Sequence, residues 1–169
     1  MLTWDQSRWR VSPGNLAKAM VIVPFIQSGP RLPIYSIPEH YQQMDMDLLF
    51  TTEVRPEWLT RDAISCMLDR FFAANCENIF TTLALRVYTA FSIPFTPVLH
   101  GDTTSISLYG AYEEEDTTDP VAPSICAGYS KDGNRGLLQV MLGQVCDQLG
   151  IPLVTTVRDG NEDDCTWNA

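Results

Sequence analysis

The residues best placed to do chemistry lie in Pro97 to Ala111, PVLHGDTTSISLYGA. An apolar lead-in, Val98 and Leu99, runs into an acid, Asp102, and the hydroxyls of Thr103, Thr104, Ser105 and Ser107 follow. Ile, Thr, Ser and Tyr at this density favour an extended strand, and Gly110 marks its exit. A carboxylate on a strand is a reasonable ligand for Mg²⁺, which takes one or two carboxylates and keeps several waters. The same pattern also suits an Asp that only hydrogen-bonds a neighbouring Thr at a strand end.

The other chemistry-bearing residues are scattered. The five cysteines, Cys66, Cys76, Cys126, Cys146 and Cys165, are widely spaced, with no CxxC pair. Only His40 and His100 could join them, so a zinc site is not expected. Reduced thiols in a cytoplasmic protein are the simplest reading. His40 has no second ligand at i+4 and reads as an ordinary helix residue. No Ser-His-Asp or Cys-His set is evident, because His100 and Asp102 sit too close on one strand to form a separated triad.

These residues need elements to hold them. At 169 residues and 45% apolar composition, the chain can build one or two domains with a real core. No apolar run approaches the roughly 20 residues that span a bilayer, and MLTWDQSRWR does not read as a signal peptide. No membrane partner is expected. Charge is uneven: residues 1–97 hold 8 Lys/Arg against 9 Asp/Glu, and residues 98–169 hold 3 against 12. The acidic second part disfavours a tight, nonspecific grip on a nucleic-acid backbone.

Residues 12–92 read as about four helices. Ser12-Pro13 starts the first, with Ser as cap and Pro in the first turn. Leu16 to Ile26 is apolar on most sides and is expected to be buried, with Pro24 kinking or ending it and Gly29-Pro30 stopping it. Ser36 to Glu39 has capping-box spacing. Thr60 opens a helix with the core stripe Ile64, Met67, Leu68, Phe71 and Phe72. Asn75 can cap the next, whose expected core face is Ile79, Phe80, Leu83, Val87 and Phe91. Pro94 and Pro97 set the expected boundary, giving a helical domain 1–97 and a β-rich domain 98–169.

Beyond the Asp102 strand, residues 113–120 read as a solvated acidic loop. Ser124 to Tyr129 is a short strand and Ser130 to Asn134 a turn. Leu137 to Cys146 fits helix or strand; a hairpin with Ile151 to Val157 through Asp147-Gln148-Leu149-Gly150 is preferred. Pro152 belongs near that strand's start, Asp159-Gly160-Asn161 ends it, and Glu162 to Asp164 could begin a helix.

Taken in order, several phrases resemble the N-terminal part of DDE-type insertion-sequence transposases, in the broad IS-four superfamily. They are Val11-Ser12-Pro13-Gly14, Leu68-Asp69-Arg70, His100 to Ser105 followed by Tyr109-Gly110, Gly128 to Asp132, Gln139, Gly150 to Leu153, and Asp159-Gly160-Asn161. The resemblance implies an α+β chain: a helical N-terminal domain, then an incomplete RNase H-like β-meander. Asp102 matches the family's first catalytic and metal-binding aspartate. It also implies Mg²⁺ held by three acids, and the element's DNA ends as partner. Gly136 stands where the family expects Asp, and Leu138 where Lys is common. The second Asp and the Glu are expected beyond Asp159-Gly160-Asn161, so the chain reads as a truncated transposase, inactive alone and not retaining the metal. Asp159, Asp163 and Asp164 are not read as substitutes.

Two alternatives stand beside this. A non-catalytic regulator would bind DNA or the full-length transposase through Arg8, Arg10, Lys18 and Arg31. A small metal-dependent hydrolase would use the Asp102 carboxylate alone. If sheet edges are left open, Leu137 to Val157 is the expected aggregation-prone stretch.

Overall fold

The computed structural model describes residues 4–5, 7–26, 32–110, 122–129, 133, 136–163 and 166. The fold is α+β, with five α-helices followed by an antiparallel four-stranded sheet among the described residues. The helices are α1 (Pro13–Ile26), α2 (Ile37–Tyr41), α3 (Met46–Leu49), α4 (Arg61–Ala73) and α5 (Cys76–Ala90). Single 3₁₀ turns occupy Ile34–Ser36 and Pro56–Trp58. The strands are β1 (Leu99–Leu108), β2 (Cys126–Ala127), β3 (Leu138–Asp147) and β4 (Pro152–Arg158). No helix among the described residues is long and apolar enough to cross a membrane.

Two compact units divide the chain, Met1–Cys76 and Glu77–Ala169. The prolines after α5 suggested a division at 97/98. Contacts divide it earlier because Ala84 and Tyr88 of α5 pack with Leu153 of β4.

In the first unit, the Ser12 hydroxyl accepts from the Asn15 N–H at 3.1 Å and caps α1. Leu16, Ala19 and Val23 line the buried face of α1. They join Ile37, Tyr41, Phe50, Val54, Leu59, Ile64 and Met67 in one core. The expectation that α1 is buried on most sides is corrected: Val21 is 63% and Phe25 85% exposed. An apolar run buries only the faces its neighbours reach. Pro24 lies inside α1, which continues to Ile26. Ser36 does not cap α2; its hydroxyl donates to the Pro33 carbonyl instead. Thr60 caps α4 as expected, accepting from the Ala63 N–H at 3.2 Å. Asn75, between α4 and α5, takes a left-handed conformation at φ 65°, which Asn tolerates better than most residues.

In the second unit, the expected face of α5 is met in part: Ile79, Phe80 and Val87 are half-buried, but the buried positions are others. Ala84 and Tyr88 are buried, while Leu83 is 60% and Phe91 74% exposed. Ala84 and Tyr88 pack with Leu153, and the Tyr88 hydroxyl donates to the Asp147 carboxylate at 2.5 Å. β3 is the spine of the sheet. It pairs antiparallel with β1 along its whole length, and with β4 and β2 on its other side. The hairpin β3–β4 is as expected, with Pro152 opening β4 opposite Cys146. Its turn is closed by Asp147, whose Oδ1 accepts from the Leu149 and Ile151 N–H groups, each at 2.9 Å. Gly150 sits at φ 77°, where glycine is favoured. The aggregation-prone stretch is partly corrected: β3 is paired on both sides, and the open edges among the described residues are those of β1, β2 and β4.

Candidate functional site

Asp102 lies on β1, as the strand-forming residues around it require. Thr103 and Ser105 are buried while Asp102 and Thr104 are exposed, so period-two alternation turns the carboxylate outward. Its register partners form a polar row across the sheet. Asp102 stands opposite Gln144, and Gln144 opposite Thr155, to whose hydroxyl the Gln144 amide donates at 3.3 Å. Asp102 Oδ1 accepts from the Thr103 N–H at 2.8 Å. The local hydrogen bond to a neighbouring Thr therefore exists, and it leaves the second carboxylate oxygen outward. His100, two residues earlier, is exposed and stands opposite Cys146.

The remaining described acids are elsewhere. Asp147 stands opposite Leu99, three positions from Asp102, or about 10 Å along the strand. Odd spacing puts it on the opposite face, where it is buried. Burial pushes the Tyr88 hydroxyl up to about 12, with the Asp147 carboxylate adding to the effect. The Asp147 carboxyl is lowered, chiefly by that hydrogen bond and against the effect of burial. Asp159 follows β4, four residues past Thr155, which is about 13 Å further along the strand direction. Its Oδ1 accepts from the Ser124 N–H at 2.7 Å, a structural task. Asp163 accepts from the Thr166 N–H at 2.7 Å, as a helix cap does. Asp164 lies outside the described residues. Among the described residues no three His, Cys, Asp or Glu side chains gather into a metal-holding group. One outward carboxylate does not fit a two-metal centre, whose ions sit roughly 4 Å apart.

Several phrases singled out in the sequence do meet, around the end of β4. The buried Gln139 amide donates to the Gly160 carbonyl at 2.6 Å and to the Tyr129 carbonyl at 3.2 Å. Gly160 N–H donates to the Ser124 carbonyl at 3.0 Å. Gly128 and Gly160 are both needed for closeness: a Cβ on either would lie 2.0 Å from a backbone oxygen. Gly136 stands at φ 91°, where a side chain is strained. This clasp binds β2 to the sheet and does no evident chemistry. Ser130, Lys131 and Asp132 lie outside the described residues.

The expected basic cluster does not converge among the described residues. Lys18 Nζ sits 5.5 Å over the Phe50 ring, and Arg8 pairs with Asp5 at 3.6 Å. Arg31 lies outside the described residues. Arg8 and Arg10 instead line a groove of the first unit, which sequence spacing did not reveal. It has a volume of about 760 Å³ and is walled in part by Trp9 and Trp58. Three acids, Glu57, Asp62 and Asp69, line it too.

No curated protein and no solved structure matches the chain. Residues 2–85, from before α1 into α5, match the family described as Domain of unknown function (DUF4277), a domain found in transposase-like proteins.

Proposed function

We propose that this chain is the helical region and opening sheet of a DDE-type DNA transposase, and that it is catalytically silent alone. The observation that carries the reading is the outward Asp102 on the first strand of an antiparallel β1–β3–β4 meander that follows a helical unit in the chain. That is the arrangement the resemblance implies for the first acid of an RNase H-like centre. The match of residues 2–85 to a domain found in transposase-like proteins supports it. Mg²⁺ and DNA ends belong to the complete centre. In the two-metal centre that the resemblance implies, one ion serves the attacking oxygen and the other the leaving oxygen of the in-line displacement. The described acids do not provide that, so no catalytic step is assigned to this chain. Asp102 supplies one oxygen ligand and needs two further acids.

The test is a supercoiled-plasmid nicking and strand-joining assay with Mg²⁺ or Mn²⁺, comparing the chain with Asp102→Asn. The expected result is no cleavage above the variant's background. Metal-dependent cleavage that vanishes in Asp102→Asn overturns the incomplete centre and revives the small hydrolase.

A further inference from the structure

His100 is far from every cysteine in sequence, and the sheet removes that separation for one of them. β1 pairs with β3 along its whole length without a register shift, and His100 stands directly opposite Cys146. His100 is exposed. Cys146 is half-buried, and its thiol donates to Oε1 of Gln144 at 3.7 Å. Gln144 lies two positions along β3, on the outward face, where its amide donates to the Thr155 hydroxyl at 3.3 Å. The sulfur therefore lies on the side of the sheet that carries the imidazole.

Side chains directly opposite on an antiparallel pair have Cβ atoms about 4.5–5.5 Å apart. Around a tetrahedral ion, with sulfur at about 2.3 Å and nitrogen at about 2.0 Å, the two donors stand about 3.5 Å from each other. A thiol and an imidazole leaning together across the strands reach that separation with the backbone in place. Their chemistry selects a borderline-soft ion such as Zn²⁺, whereas Mg²⁺ wants oxygen. Asp102 is on the same face, but about 7 Å along β1, and one of its oxygens accepts from the Thr103 N–H. It adds negative charge near the ion and no bond to it. Water fills the remaining positions on this exposed face. β1 has no neighbour on its other edge among the described residues, so an ion held from both strands ties an edge strand to the spine of the sheet.

We propose that His100 and Cys146 form a cross-strand site for Zn²⁺, with the imidazole and the thiolate as its two protein ligands. Binding sends the thiol proton to solvent and gives up the donation to Gln144. The unfolded chain does not hold the two ligands together, so the ion stabilises the second unit. Losing a ligand costs at least what losing a ligand's supporting hydrogen bond does, roughly 10- to 100-fold in affinity.

Titration of the whole reduced chain with Co²⁺, read at the ultraviolet thiolate-to-cobalt charge-transfer band and reversed by Zn²⁺, reads the site. Melts with Zn²⁺ or Mg²⁺ read the stabilisation. The expected results are one ion per chain, loss of the band in Cys146→Ser, and binding weaker by roughly tenfold or more in His100→Ala. Zn²⁺ is expected to raise the melting temperature of the wild type and of neither variant, and Mg²⁺ to raise none. Circular dichroism checks folding; if Cys146→Ser unfolds, His100→Ala, at an exposed position, carries the test. Absence of a band, unchanged affinity in His100→Ala, or a band that survives in Cys146→Ser and follows Cys66, Cys76, Cys126 or Cys165 overturns the proposal. So does binding that Asp102→Asn abolishes and Cys146→Ser leaves intact, which would put the ion on the carboxylate.

Discussion

Replacing Gly160 by alanine isolates the clasp that holds β2 onto the sheet. The added Cβ would lie 2.0 Å from the Gln139 carbonyl oxygen and 2.7 Å from that of Cys126. Real Cβ contacts essentially never fall below 3.0 Å, so the backbone of β3 must retreat by at least 1 Å. Neither neighbour is a flexible side-chain tip. Retreat strains the 2.6 Å bond from Gln139 to the Gly160 carbonyl and the pairing of Cys126 with Gln139. Overpacking of this kind costs about 1–3 kcal/mol, and a compromised buried hydrogen bond adds about 1 kcal/mol. The expected loss is thus about 2–4 kcal/mol. Cys126 sits in β2 itself, so its thiol reports the opening of this corner. Pulsed thiol labelling with peptide mapping is expected to show Cys126 reacting roughly 30- to 1,000-fold faster, at about 1.4 kcal/mol per tenfold. Gly14→Ala is the control: its Cβ meets nothing closer than the Ser12 hydroxyl at 4.0 Å, and stability should hold or rise by up to about 1 kcal/mol. If Gly160→Ala labels Cys126 at the wild-type rate, the close approach of Gly160 to β3 is wrong.

Asp102→Asn is expected to leave thermal stability within about 0.5 kcal/mol, since the side chain is exposed and its bond to the Thr103 N–H needs only a carbonyl oxygen; a large loss in a melt would mean the carboxylate is structural. Met67→Ala should cost about 2–5 kcal/mol in chemical denaturation, as Met67 is 1% exposed, whereas Phe25→Ala, at 85% exposure, should cost almost nothing; equal costs would contradict the orientation of α1. The Tyr88–Asp147 pair carries a pH signature. Tyr88 is raised from 10.0 to about 12, so its contribution is complete below pH 10 and is lost as pH climbs through 12. Asp147 is lowered from 3.8, so its contribution is complete above that value and fades as pH falls through its folded value. Tyr88→Phe should flatten the alkaline limb and shrink the acid one in melts across pH; unchanged limbs would mean the pair does not hold α5 to the hairpin.

Local order was legible in the residues. Ser12 and Thr60 cap the helices expected of them, and Pro152 opens β4, because each rule concerns atoms within a turn of one another. The ambiguous run Leu137 to Cys146 became a strand because β1 and β4 flank it, a fact no window on that run contains. Faces were harder. Of the expected face Ile79, Phe80, Leu83, Val87 and Phe91, Leu83 and Phe91 are exposed and the other three half-buried, while α5 buries Ala84 and Tyr88. Their partners, Leu153 in packing and Asp147 in a hydrogen bond 59 residues from Tyr88, lie outside any window on which periodicity is read. The groove beside α4 was hidden for the same reason, since its lining comes from Arg8 to Val11, Glu57 to Thr60 and one side of α4.

The same asymmetry governs the candidate site. Position on a strand is a local property, so Asp102 could be found from Thr, Ser and Ile around it. Partnership between acids is set by register across strands. Asp147 is close in pairing but on the wrong face, and Asp159 sits about 13 Å too far along. Neither can be brought to Asp102 by a side-chain rotation, because a rotamer moves a carboxylate oxygen by only a few ångströms while the pleat fixes its face. An acid sharing a metal with Asp102 must therefore come from a backbone laid beside the outward face or along the open edge of β1. That requirement separates the transposase reading from the small-hydrolase reading more sharply than any motif does. A small hydrolase built on Asp102 gains no second carboxylate from these strands, because the register leaves none beside it among the described residues.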